Sequence, residues 1–146
     1  MGTKYKSFIL VWLQMLFIVL LLLQIPANHC DQWAFIVSAI GLFLGFWAIV
    51  TMRLDNLSVT PEVRRDARLV TSGPYKVIRH PMYSAVLLTF LPFVLDRPSF
   101  YLTIIFLALV TTLFVKLNYE ETLLKAHFKE YEEYSKHSRR LIPFIY

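Results

Sequence analysis

WAFIVSAIGLFLGFWAIVTM, residues 33–52, runs for twenty positions without a charged side chain. A bilayer's hydrocarbon core takes roughly 20 apolar residues of helix to cross, so this stretch reads as a transmembrane span. Three further uncharged runs accompany it, at 8–25, 82–95 and 99–115. The first and last come close to the required length, and the one at 82–95 is short. With 57% hydrophobic residues, 16% aromatic residues and a mean hydropathy of +0.54, the whole chain is far more apolar than a soluble domain. The expected fold is an all-α polytopic membrane helical bundle of about four transmembrane helices.

Charge placement orients these spans. Fourteen of the fifteen Lys and Arg residues precede the first span, lie between the second and third, or follow the fourth; Arg97 alone sits on the other side. The positive-inside rule then puts both termini, the long middle loop and a helical C-terminal tail in the cytoplasm. The net charge of +5 suits anionic lipid headgroups, because the basic residues flank apolar spans and no nucleic-acid motif accompanies them. Lys4 and Lys6 before an apolar run resemble the start of a signal peptide. Ala27-Asn28-His29-Cys30 lacks a small-x-small cleavage pattern, so a retained helix is expected. Cys30 is the only cysteine, which excludes an intrachain disulfide and a Cys-rich metal site.

Arg79-His80-Pro81-Met82-Tyr83 brings ionisable and hydroxyl groups to the start of the third span. Pro81 fits the first turn of a helix, where its missing N–H costs nothing, so the span is expected to begin there with His80 at its cap. The loop from Arg53 to His80 is about 28 residues, contains Pro61 and the turn signal Ser72-Gly73-Pro74, and is longer than a simple connection needs. Asp96-Arg97-Pro98 should turn the last two spans into an antiparallel hairpin. Equal helical rise then pairs residues whose numbers sum to about 194, setting His80 level with Phe114 and Glu120 level with Pro74. That register brings Tyr75, Arg79, His80 and Tyr83 within side-chain reach of Asn118, Glu120 and Glu121, as a polar site at the membrane edge. Tyr131 and Tyr134, three residues apart, have packing of the tail as their simplest role. His127, His137, Glu132 and Glu133 read as a solvated face, and Phe100, Tyr101 and Trp33 as interfacial belt residues.

The run from Leu69 to Tyr83, with Gly73-Pro74-Tyr75 and Arg79-His80-Pro81-x-Tyr83, then Glu120-Glu121, Tyr131-x-x-Tyr134 and Leu141-Ile142-Pro143, resembles the isoprenylcysteine carboxyl methyltransferase family. The chain departs from the family pattern at Ala85, where members often carry glycine, and at Phe128-Lys129 in place of a Phe-Gly pair. The resemblance implies a multi-pass enzyme that binds S-adenosylmethionine at the cytoplasmic side and methylates a lipid-like acceptor reached through the bilayer. It divides a single domain into an N-terminal helical pair and loop over 1–68 and a cofactor-binding catalytic region over 69–143. Arg79, His80 and Glu121 are the expected catalytic residues. Gly73, Tyr75, His80, Pro81, Tyr83, Glu120 and Glu121 are the expected cofactor contacts.

These residue types suit that cofactor. Arg79 offers a directional fork to a carboxylate, the glutamates accept from ribose hydroxyls or an ammonium, and the tyrosine rings can face adenine or a cation. Methyl transfer is an in-line displacement on an activated donor, so positioning supplies much of the catalysis and no metal is required. An amine acceptor would also need a proton acceptor, for which His80 or a Glu is the candidate. Membrane lipids and an amphiphilic or lipid-linked acceptor are the expected partners, in an inner membrane or the endoplasmic reticulum. The alternatives are a nicotinamide-dependent lipid or sterol reductase, and a non-catalytic lipid-binding or scaffold protein.

Overall fold

Two apolar helices open the chain because nothing in their sequences interrupts a helix or demands water. The structure, a computed structural model, describes residues 2–25, 30–53 and 68–142. Pro61, His29 and Pro143, all weighed above, lie outside the described residues. Helix α1 covers Gly2–Gln24 and α2 covers Gln32–Met52. A 3₁₀ turn at Gly73–Lys76 precedes α3 (Pro81–Asp96), α4 (Phe100–His127) and a short α5 (Tyr131–His137). Pro81 is the first residue of α3 and His80 its cap, as the sequence indicates.

Length decides which helices cross a bilayer. The apolar parts of α1, α2 and α4 are long enough to span one. Sixteen residues of α3 give about 24 Å, short of a hydrocarbon core of about 30 Å, so three long spans and one short apolar helix replace the expected four. Helix α4 is the opposite case. At 28 residues it reaches about 42 Å, so its polar end continues beyond the hydrocarbon. The outer faces of α1 and α2 expose Phe8, Trp12, Leu16, Leu23, Leu42, Phe43 and Phe46. In water so much contiguous apolar surface would be a liability; in a bilayer it is the solvated surface.

Helix α2 packs chiefly on α3, and α1 chiefly on α4. Small residues make the first contact close. A Cβ added to Gly41 would lie 2.7 Å from the Thr89 backbone nitrogen, and one on Gly45 would lie 3.3 Å from the Ala85 Cβ. Gly41 and Gly45 thus form one small-xxx-small stripe facing another at Ala85 and Thr89, the arrangement by which helices approach closely in lipid. The Ser38 hydroxyl donates to the Thr89 carbonyl at 2.6 Å, tying the same pair. Ala85, one departure from the family pattern, is accommodated because glycine stands opposite. A core of Leu21, Phe90, Val94, Leu102, Phe106, Leu109, Leu113 and Leu117 joins α1, α3 and α4.

The tail folds back on the segment before α3. Ile78 and Arg139 form a parallel bridge, in which the Arg79 amide donates to the Arg139 carbonyl (2.7 Å) and the Arg139 amide to the Val77 carbonyl (2.9 Å). The His80 amide continues the pairing to the Arg140 carbonyl at 3.1 Å. This contact sits at the end of the bundle where α3 starts and α4 emerges.

Candidate functional site

Pro81 sets the direction of the first site residues. By starting α3 it leaves His80 at the cap with Arg79 just outside, and the bridge to Arg139 holds both backbones. Tyr83 follows one turn into the helix, and its ring stacks on the His80 imidazole with centroids 5.4 Å apart and planes 4° from parallel. From α4, Glu120 and Glu121 come up beside them. His80 Nδ1 is 3.6 Å from Glu120 Oε2, and His80 Nε2 is 3.6 Å from Glu121 Oε1. The expected convergence of the two polar segments is present. His80 meets Glu120 and Glu121, as the sequence reading expects, although equal helical rise sets it level with Phe114 one to two turns earlier in α4.

The two glutamates differ in what they have left to offer. Glu121 is saturated: Oε1 pairs with Arg79 Nε and Oε2 with Arg140 Nη2, each at 2.9 Å, and its side chain is 5% exposed. Arg79 is equally committed, since its Nη1 donates to the Ser135 carbonyl at 2.9 Å and to the Ser138 carbonyl at 2.5 Å. Arg79 Nε and Nη1 are thus engaged within the protein, while the residue also lines the cavity. Glu120 approaches His80 at 3.6 Å and hydrogen-bonds with the Tyr83 hydroxyl, keeps more exposure and lines the central cavity.

Gly73 has a φ of +56° and packs beside Thr51 of α2. A side chain there would meet both a strained backbone and Thr51 Oγ1 at 2.8 Å, so its part in the site is to shape the turn that buries Tyr75. The Tyr75 carbonyl accepts from the Tyr134 hydroxyl at 2.5 Å, which anchors α5 over the site. Tyr131, beside it, is fully buried. Two buried polar atoms lack any hydrogen-bond partner among the described residues: His80 Nε2 and the Tyr131 hydroxyl. Both residues line the cavity.

Burial pushes the Tyr75 and Tyr131 hydroxyls up and the Tyr134 hydroxyl to about 12, so these tyrosines stay neutral. For His80, burial works against the charged ring. The hydrogen bonding and negative charge of Glu120 and then Glu121 outweigh it and raise its pKa. A histidine held in this way favours its protonated form, which suits donating more than accepting a proton.

The cavity measures about 1150 Å³. At one end stand Tyr75, Arg79, His80, Glu120, Tyr131 and Tyr134; the remainder is walled mainly by apolar residues of α1, α2 and α3. Met15 and Leu22 of α1 and Leu42 and Phe46 of α2 line it while being exposed, so its apolar side is open between these two helices. Lys116 and Gln14 also line it and carry no role in the sequence reading. Gln14 did carry a signal, as the one polar residue between Phe8 and Leu23. Among the described residues no group of three or more His, Cys, Asp or Glu is placed to hold a metal ion.

Compared with known families, residues 31–131 match the phospholipid methyltransferases, and no curated protein matches the chain. The match covers more than half of the chain and takes in α2, the turn at Gly73, the His80 cap, the glutamate pair and Tyr131. It agrees with the resemblance carried by the motif from Gly73 to Tyr83, and with helices apolar enough to cross a bilayer. The chain belongs to the phospholipid methyltransferase family of membrane methyltransferases, which act on lipids.

Proposed function

We propose that the protein transfers a methyl group from S-adenosylmethionine to a nucleophilic atom in the headgroup of an amphiphilic acceptor. The observation that carries this reading is a single cavity with one polar end and an apolar remainder open along the helices. Its volume exceeds the usual range for one small-molecule site, about 300–1000 Å³, and suits a cofactor beside part of a lipid. Two buried polar atoms at the polar end without a close hydrogen bond among the described residues, the Tyr131 hydroxyl and His80 Nε2, which Glu121 approaches only to 3.6 Å, fit a ligand rich in donors and acceptors. S-adenosylmethionine supplies a methyl group already activated on a sulfonium sulfur.

Within that reading each residue has a distinct task. Glu120 accepts from the ribose diol or the ammonium, and the neutral Tyr75 and Tyr83 offer ring faces. His80 donates from its ring. Arg79, Glu121 and Arg140 hold the tail over the site and thereby position these contacts. For an amine acceptor, Glu120 is the residue suited to take the proton, since His80 favours its protonated state. The clustering of Lys and Arg near this end of the bundle supports a cytoplasmic orientation of the site.

Calorimetry on the purified protein, in detergent and in lipid nanodiscs, tests the donor. Saturable binding of S-adenosylmethionine that NADPH does not displace is expected; no binding in either medium overturns the proposal. Incubation of membranes with methyl-labelled S-adenosylmethionine, followed by identification of the labelled lipid, reads the acceptor.

A further inference from the structure

Lys116 is a lysine in an unusual position. It lies 16 residues into α4, about 24 Å from the start of that helix and therefore still at hydrocarbon depth if Phe100 marks one interface. It is 5% exposed, so it does not snorkel outward to the headgroups. Instead Nζ turns into the bundle, donates to Gln14 Oε1 of α1 at 2.9 Å, and stands 5.2 Å from the centre of the Tyr83 ring. Among the described residues no carboxylate lies within 4 Å of it, whereas Arg79 and Arg140 share Glu121. The negative charge of Glu120, one turn on, acts on it only from beyond that distance, and a buried ammonium without a close ion pair inside a membrane bundle marks a functional position.

The cavity supplies the place for a close partner. Lys116, Gln14 and Tyr83 all line it. Lys116 precedes Glu120 by one helical turn, about 6 Å along the axis, and lies on the hydrocarbon side of it. An anion held here would sit between the polar end of the cavity and its apolar walls, where the acidic group of a lipid joins its headgroup to its tails.

Building on the proposed methyl transfer, we infer that Lys116 and Gln14 form an anion subsite that binds the phosphate of a glycerophospholipid acceptor and thereby sets its reacting headgroup beside Glu120. The ammonium has two further N–H bonds to give beyond the one to Gln14, and phosphate oxygens accept them. The Gln14 amide NH₂ supplies a second donor group. Tyr83 couples the subsite to the cofactor end, since its ring meets Lys116 and is stacked on His80.

The test is calorimetric titration of the purified full chain and its K116Q, K116R and Q14L variants with dihexanoyl phosphatidylethanolamine, with dihexanoylglycerol, and separately with S-adenosylmethionine. The unsubstituted protein is expected to prefer the phospholipid by roughly tenfold or more, the scale of hydrogen bonds to charged groups. K116Q should lose that preference, K116R should keep most of it, and Q14L should fall between. Thermal unfolding of each variant separates loss of binding from loss of fold; if K116Q does not fold, Q14L and K116R carry the comparison. A K116Q or Q14L protein that retains the full preference overturns the subsite. So does a tenfold loss of S-adenosylmethionine affinity in K116Q with the lipid preference intact, because the anion would then be the cofactor carboxylate. Failure of the unsubstituted protein to bind S-adenosylmethionine, with lipid preference still dependent on Lys116, would remove the methyl-donor reading and leave the subsite standing.

Discussion

Arg79 Nε and Glu121 Oε1 stand 2.9 Å apart at the junction of α3, α4 and the tail, and each partner makes further contacts to the tail. The pair is a clasp: Arg79 reaches the carbonyls of Ser135 and Ser138 while Glu121 also holds Arg140. Breaking a buried pair from one side strands a charge, at a cost of about 3–5 kcal/mol. E121Q is therefore expected to lower thermal stability and expose the tail to limited proteolysis. R79K should do so as well, because an ammonium cannot reproduce the guanidinium fork.

The neighbouring E120Q should behave differently. Glu120 approaches His80 at 3.6 Å, hydrogen-bonds with the Tyr83 hydroxyl and lines the cavity. Its amide replacement is expected to lower the unfolding temperature less than E121Q does, while weakening S-adenosylmethionine binding by roughly tenfold, the loss of one hydrogen bond to a charged group. Calorimetry on both variants makes the comparison. Equal losses of stability in E120Q and E121Q would contradict the division of labour.

The tyrosines of α5 divide similarly. Y134F removes the hydroxyl that donates to the Tyr75 carbonyl and should cost about 1 kcal/mol of stability. Y131F removes a buried hydroxyl with no partner, so stability is expected to hold or rise while cofactor affinity falls. Thermal unfolding and cofactor titration of the two variants distinguish these outcomes.

His80 makes stability depend on pH. Its pKa is raised in the folded protein above the ordinary value of about 6.5, so its contribution is fully present below that value and is lost as pH rises through the folded-state pKa. Thermal unfolding between about pH 5.5 and 8.5 should show this decline, and H80Q should flatten it. An identical pH profile in H80Q would count against the assignment.

Close helix contact can be probed at Gly41. G41A places a methyl group against the Thr89 backbone and should destabilise by about 1–3 kcal/mol, whereas G45A, with 3.3 Å of space, should cost less. Unfolding temperatures in one detergent give the comparison.

Much of this arrangement was legible in the chain itself. Uncharged runs marked the apolar helices, Pro81 marked the start of α3, and the meeting of His80 with the glutamate pair followed from a turn at Asp96-Arg97-Pro98. The sequence reading put Glu121 rather than Glu120 among the catalytic residues, but adjacent residues on a helix point about 100° apart and only the packing partners show which lines the cavity. Nor could it reveal that Arg79 is occupied by tail carbonyls, since backbone acceptors carry no sequence signature. Lys116 was hidden for another reason: in a count of flanking charges it looks like any interfacial lysine until Gln14 is seen beside it.

The side of the cavity left open between α1 and α2 bears on how a substrate arrives. A lipid pulled into water would expose its chains at about 0.8 kcal/mol per methylene, a barrier no headgroup contact could offset. Sliding in sideways from the leaflet, with its tails still among other tails, it exchanges one hydrocarbon neighbour for another. Discrimination between substrates can then fall on the headgroup, and chain length should matter little to the rate.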